Sequence, residues 1–171
     1  MTPPVTCRLI LTRHAKSSWD DPTMADIDRP LNARGQKGAM ALGAWLASRG
    51  YLPDQVLCST AVRTQETWTG IAKTLTSAAE VKMLPTLYQA GPDRMMNLLK
   101  AATGKCVLML AHNPGIAAFA SMLPVSRPLD PGFEHYPTGA TLVLDFDIGS
   151  WADLQPGTGQ VLDFITPRDL E

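Results

Sequence analysis

Apolar positions along the chain fall into two rhythms. Short apolar runs bounded by polar or turn residues read as strands. Arg8–Thr12 is the first and Asp54–Cys58 the second, and Glu80–Leu84 supplies a third. Lys105–Ala111 is the clearest buried strand, Ala140–Phe146 alternates, and Gln160–Ile165 reads as a last strand at a sheet edge. Between them the spacing turns helical. Asn32 is a suitable N-cap for a helix in which Met40, Leu42, Trp45 and Leu46 recur and which Gly50 closes. Ser59 to about Leu75 predicts a second helix with Trp68, Ile71, Ala72 and Leu75 on one face. Pro92–Ala102 predicts a third, with proline in its first turn and Met95, Leu98 and Leu99 turned inward. Pro114–Leu123 reads as a short fourth helix. Two loops stand out: a polar one over Ala15–Pro30, and Pro124–Pro137 with its prolines at 124, 128, 131 and 137.

Strands alternating with helices predict an α/β fold, a three-layer α/β/α arrangement with a mostly parallel central sheet and helices on both faces. The 171 residues carry no internal repeat, low-complexity segment or dividing linker, so the reading is one domain over residues 1–171. Fifteen basic against sixteen acidic residues give a net charge of -1, which offers no general pull toward nucleic acid or an anionic membrane. Any basic site must be local. Cys7, Cys58 and Cys106 are widely spaced in apolar runs, which fits buried free thiols of a reducing compartment and no disulfide or zinc pattern. The polar stretch Met1–Thr6 lacks the basic and apolar regions of a secretory leader, and no apolar run approaches the ~20 residues that span a bilayer. These features predict a cytoplasmic protein.

Ligands in such folds bind beyond the C-terminal ends of the strands. Applied here, that rule gathers chemistry. The first strand ends in Arg13-His14, the second leads into Arg63, and the fourth ends in His112-Asn113-Pro114-Gly115. Two guanidiniums and two imidazoles at one sheet edge make an anion site. Arginine presents a planar fork that matches phosphate oxygens, and a neutral imidazole is a competent nucleophile toward phosphorus. Arg13 and Arg63 disfavour the imidazolium form of His14, keep a ring nitrogen free, and stabilise a phosphoryl group in transfer. His112 is placed to donate to a phosphoryl oxygen, and the helix starting near Pro114 adds a favourable dipole. His135, in the proline-rich loop, reads as a surface residue.

The runs Leu11-Thr12-Arg13-His14-Ala15-Lys16-Ser17, Ser59–Thr67 and His112-Asn113-Pro114-Gly115 resemble, in order and spacing, the three signature segments of the histidine phosphatase superfamily, which includes phosphoglycerate mutases. The resemblance covers about residues 7–146 and implies a phosphoglycerate mutase-like fold. It implies that His14 is the phospho-acceptor, that Arg13, Arg63 and His112 hold phosphoryl oxygens, and that Ser17 and Asn113 lie beside the phosphate. Asp28–Gly35, Leu87-Tyr88-Gln89-Ala90 and Pro137-Thr138-Gly139-Ala140 are similar to segments of the small bacterial phosphohistidine phosphatases, a branch without the helical insertion that caps the mutase site.

The chain departs from the superfamily pattern at three places. Ala15 stands where glycine is usual, and Asp20 where asparagine is common. Where many members carry a glutamate general acid, the stretch Leu84–Gly91 has no carboxylate. Asp20 and Asp28 are the candidate substitutes. An alkoxide leaving group needs a proton, with an acid worth about 10²–10⁴-fold, whereas an imidazole leaves more readily. The expected activity is therefore a phosphatase working through phospho-His14 on a phosphohistidine protein, without metal or other cofactor. The alternatives are a phosphomonoesterase of small phosphorylated metabolites and a catalytically silent phosphate-binding or interaction module.

Overall fold

The computed structural model describes residues 6–171; the N-terminal stretch, through Val5, lies outside the described residues. Six strands form one sheet: β1 (Cys7–Arg13), β2 (Gln55–Ser59), β3 (Glu80–Leu84), β4 (Cys106–Ala111), β5 (Thr141–Phe146) and β6 (Gln160–Ile165). Their order is β3-β2-β4-β1-β5-β6. β1 to β4 pair in parallel, while β5 and β6 join antiparallel at one side. Four helices connect them: α1 (Ala33–Arg49), α2 (Val62–Thr74), α3 (Pro92–Lys100) and α4 (Gly115–Met122).

Side chains alternate across the sheet and sort the core into two layers. Leu9 and Leu11 of β1 join Val107 and Met109 of β4 and pack against Met95 and Leu99 of α3 and Ile116 and Phe119 of α4. Ile10, Leu108 and Leu110 point the other way, against Leu42 and Leu46 of α1 and Ile71 of α2. The central strands are buried on both faces, which is why they read as continuous apolar runs. The caps fall where the residues predict: the Asn32 side chain accepts from the Gly35 N–H, and Gly50 ends α1 at φ 73°.

Two expectations about helix faces need correction. Met40 and Ala72 are exposed. Ile71 and Leu75 are buried and Trp68 packs against the core as expected, but the buried stripe of α2 also carries Arg63, Thr64, Thr67 and Gly70. Its threonine hydroxyls hide by donating to backbone carbonyls, Thr64 to Ser59 and Ala61, and Thr67 to Arg63. Gly70 lets α1 approach closely, since a Cβ there would lie 2.6 Å from that of Ala39. A stripe of satisfied polar groups gives no apolar periodicity. Among the described residues no helix is long and apolar enough to cross a membrane.

Candidate active site

Register brings the two histidines together. Arg13 of β1 pairs with Ala111 of β4, so His14 and His112 each follow a matched position. Their ring centroids lie 5.3 Å apart. The turn after β1 is pinned by the Gly139 N–H, which donates to the Arg13 and His14 carbonyls at 3.1 and 2.8 Å. The backbone then crosses the start of α1 so closely that a Cβ on Gly35 would sit 2.1 Å from the Lys16 carbonyl oxygen. After β4, Gly115 likewise leaves room for the Ala90 carbonyl, 1.9 Å from where a Cβ would stand. Glycine is the residue that permits both approaches.

Burial is the main reason both imidazoles stay neutral. His14 is 5% exposed, and desolvation, with Arg13, His112 and Arg63 adding repulsion, lowers its pKa to about 3. Desolvation first and then Arg63 lower that of His112 to about 4. The tautomers follow from the partners. His14 Nδ1 lies 2.8 Å from the Ala15 carbonyl oxygen, which can only accept, so Nδ1 carries the proton and Nε2 keeps its lone pair. His112 Nε2 lies 2.8 Å from Ser59 Oγ, which also accepts from the Ala61 N–H. With the Ser59 hydroxyl donating to Nε2, His112 presents Nδ1–H.

The guanidiniums are held from behind. Arg13 Nη1 donates to the Tyr136 carbonyl at 3.1 Å. Arg63 Nη1 and Nη2 donate to the Asp26 carbonyl and carboxylate at 2.7 and 3.0 Å. Asp26 is a hub: it also accepts from the Tyr88 hydroxyl at 2.6 Å and from Arg29 Nε at 3.2 Å. The Tyr88 hydrogen bond, followed by Arg63 and Arg29, lowers its carboxyl to about 2 against the opposing effect of burial. Among the described residues, the buried side-chain nitrogens and oxygens without a hydrogen-bond partner are Arg13 Nε, Arg63 Nε, His112 Nδ1 and Asn113 Oδ1. All four belong to one cavity, of about 370 Å³. Donors left unpaired inside a protein are costly unless a ligand uses them.

That cavity unites Arg13, His14, Ser17, Arg63, His112 and Asn113. Asp20 and Asp28 are exposed and do not line it; the carboxylate that does is Asp26. Spacing alone could not choose among the four aspartates of the polar loop. Asp26 and Asp28 share one 3-10 turn, and the tertiary contacts with Arg63 and Tyr88 single out Asp26. Sequence reasoning also missed Tyr88, Arg29 and Trp19 as site residues. Trp19 lines the mouth, 75% exposed, with the guanidinium carbon of the buried Arg29 3.5 Å from its ring centroid. His135 is exposed, and its carbonyl accepts from Asn113. Among the described residues no three His, Cys, Asp or Glu side chains converge as a metal site would require.

A mostly parallel sheet whose strand ends bring two neutral imidazoles and two arginines into one cavity defines an enzyme that handles phosphoryl groups. The model of the histidine phosphatase superfamily, branch 1, matches residues 9–91. An uncharacterized protein of Mycobacterium tuberculosis is 34% identical over 165 residues, 91% of this chain and 99% of its own length. A Nakamurella multipartitia structure, provisionally named phosphohistidine phosphatase SixA, is 30% identical with a TM-score of 0.80, over 96% of this chain and 99% of that one. An Agrobacterium tumefaciens structure provisionally given the same name is 26% identical with a TM-score of 0.76, over 98% and 100%. The chain belongs to the histidine phosphatase superfamily, and it is a hydrolase of the phosphatase class.

Proposed function

We propose that the chain removes the phosphoryl group from a phosphohistidine side chain of a protein, through a phosphoenzyme intermediate on His14 Nε2. The observation that carries the reading is the hydrogen bond from His14 Nδ1 to the Ala15 carbonyl, which leaves Nε2 deprotonated in a cavity of arginine donors. The Nε2 lone pair forms the new P–N bond as the P–N bond to the substrate imidazole breaks. The leaving ring keeps the proton on its other nitrogen and departs neutral. His14 then carries a positive ring whose Nδ1–H is held by the Ala15 carbonyl. Water attacks phosphorus, the P–Nε2 bond breaks, the water proton passes to phosphate and solvent, and His14 returns to its neutral form. Arg13 Nε, Arg63 Nε and His112 Nδ1–H are the buried donors available to the phosphoryl oxygens.

The state of Asp26 supports the substrate class. Held to about 2, it is ionised at neutral pH and has no proton to give. A site without a poised acid handles an imidazole leaving group better than an alkoxide. The test is rapid-quench labelling with phosphorylated imidazole, a phosphohistidine protein and a panel of phosphate monoesters, for wild type and His14→Ala. Acid-labile label in wild type alone, with faster turnover of the P–N compounds, is the expected result. Label retained by His14→Ala would overturn the nucleophile; faster turnover of alkyl monoesters would favour a metabolite phosphatase.

A further inference from the structure

A second cavity, about 670 Å³, adjoins the catalytic one and shares Lys16 and Thr138 with it. It holds neither histidine nor either phosphate-facing arginine. Its walls are the first turns of α1, the loop at residues 130–132 and the C-terminal 3-10 turn Pro167–Leu170. Pro167 packs near Gly38, where a Cβ would be 3.7 Å away, and Arg34 lies 3.2 Å from Glu171, so the C-terminal segment lies against α1 as a wall.

The charges in this cavity are unequally engaged. Asp169 accepts from the Thr166 backbone N–H and hydroxyl, Asp130 from the Gly132 N–H, and Glu171 from Arg34. Lys37 and Arg168 are exposed and make no ion pair or side-chain hydrogen bond with any described residue. Lys16, at the junction, is the same. The second cavity sets four Lys and Arg side chains against three carboxylates, and the catalytic cavity adds three arginines against one carboxylate, on a chain of net charge -1. This is a local positive field on a nearly neutral protein, and it matches an anionic partner.

Size decides what kind of partner. A phosphorylated imidazole confined to the cavity of about 370 Å³ would leave the larger cavity empty and most of the Trp19 indole bare. An exposed tryptophan stacked on a buried arginine at the mouth of the catalytic cavity is the kind of anchor that macromolecular interfaces use. Resting on the function proposed above, we infer that the second cavity is a docking groove for an acidic polypeptide segment next to the phosphohistidine of a protein substrate. Lys16 links groove to reaction centre, and Lys37 and Arg168 receive the carboxylates.

The experiment compares wild type with Lys37→Glu/Arg168→Glu on three substrates: phosphorylated imidazole, a phosphohistidine peptide flanked by Asp and Glu, and the same peptide with those residues changed to Asn and Gln. Wild type is expected to bind the acidic peptide with a KM at least tenfold below that of the neutral one, and the advantage shrinks as salt rises. The double variant loses the preference, keeps kcat, and turns over phosphorylated imidazole within twofold of wild type, which also reports that it is folded. Equal KM values for the two peptides in wild type, or an undiminished preference in the variant, would overturn the groove while leaving the chemistry intact. Failure of wild type on all three substrates, with His14 unlabelled, would instead remove the proposed function and the groove with it.

Discussion

Two buried neutral imidazoles tie the stability of this protein to pH. In the unfolded chain each ring titrates near 6.5; in the folded one His14 falls to about 3 and His112 to about 4. Between those limits the unfolded state binds protons that the folded state refuses, so stability is complete above pH 6.5 and declines as pH falls. The decline approaches about 1.4 kcal/mol per pH unit for each ring. At pH 4.5 the two together remove about 5 kcal/mol, comparable to the whole stability of a marginal domain. Asp26, lowered from 3.8 to about 2, acts in the same direction, its contribution being lost only as pH falls below about 4. The assay is urea unfolding at half-unit steps from pH 7.5 to 4.5, for wild type and for His14→Gln/His112→Gln. Carboxylates that titrate late affect both proteins alike, so the difference isolates the rings. Wild type should lose stability faster than the variant by up to about 2.7 kcal/mol per pH unit. Parallel curves would mean that the imidazoles accept protons in the folded state, and the neutral-nucleophile argument would fail with them.

Two further outcomes follow from the geometry. Asp26→Ala removes the carboxylate that receives Arg63 Nη2 and the Tyr88 hydroxyl, and kcat with an aryl phosphate should fall about 10- to 100-fold, or about 1.4–2.7 kcal/mol. An unchanged or higher kcat would show that Arg63 needs no such orientation. Gly115→Ala places a methyl 1.9 Å from the Ala90 carbonyl oxygen, and thermal or urea unfolding should report a loss of about 1–3 kcal/mol; a neutral substitution would refute the close approach.

Much of the architecture was legible because its signals are local. Gln160–Ile165 and Glu80–Leu84 carry the expected bounds, and the Asn32 and Gly50 caps act through their own side chain and backbone freedom. The convergence of Arg13, His14, Arg63 and His112 was readable because parallel strands deliver their C-terminal ends to one edge. The support behind them was not. Asp26 sits 37 residues from Arg63 and 62 from Tyr88, in a loop with four aspartates, and nothing local distinguishes it from Asp20 or Asp28. On α2 the apolar part of the buried face, Ile71 and Leu75, was legible, whereas Thr64 and Thr67 were not, because backbone hydrogen bonds hide their hydroxyls. The wall that Pro167 and Arg168 give the second cavity depends on the chain end returning to α1, a tertiary event without a sequence period.

The strand order has a consequence for the chain while it is being made. β4 enters the sheet between β2 and β1, although it is synthesised after both. Until residues 106–111 emerge and insert, β1 and β2 have no strand between them, and only the links from the loop after β1 to α2, such as Ala15 N–H to the Thr67 hydroxyl, join the two sides. On the function proposed above, a nascent or truncated chain that stops short of His112 is expected to show no turnover, whatever share of its helices has formed. Turnover is then expected only after β4 has filled the gap between β2 and β1, so that its appearance would time that step of folding.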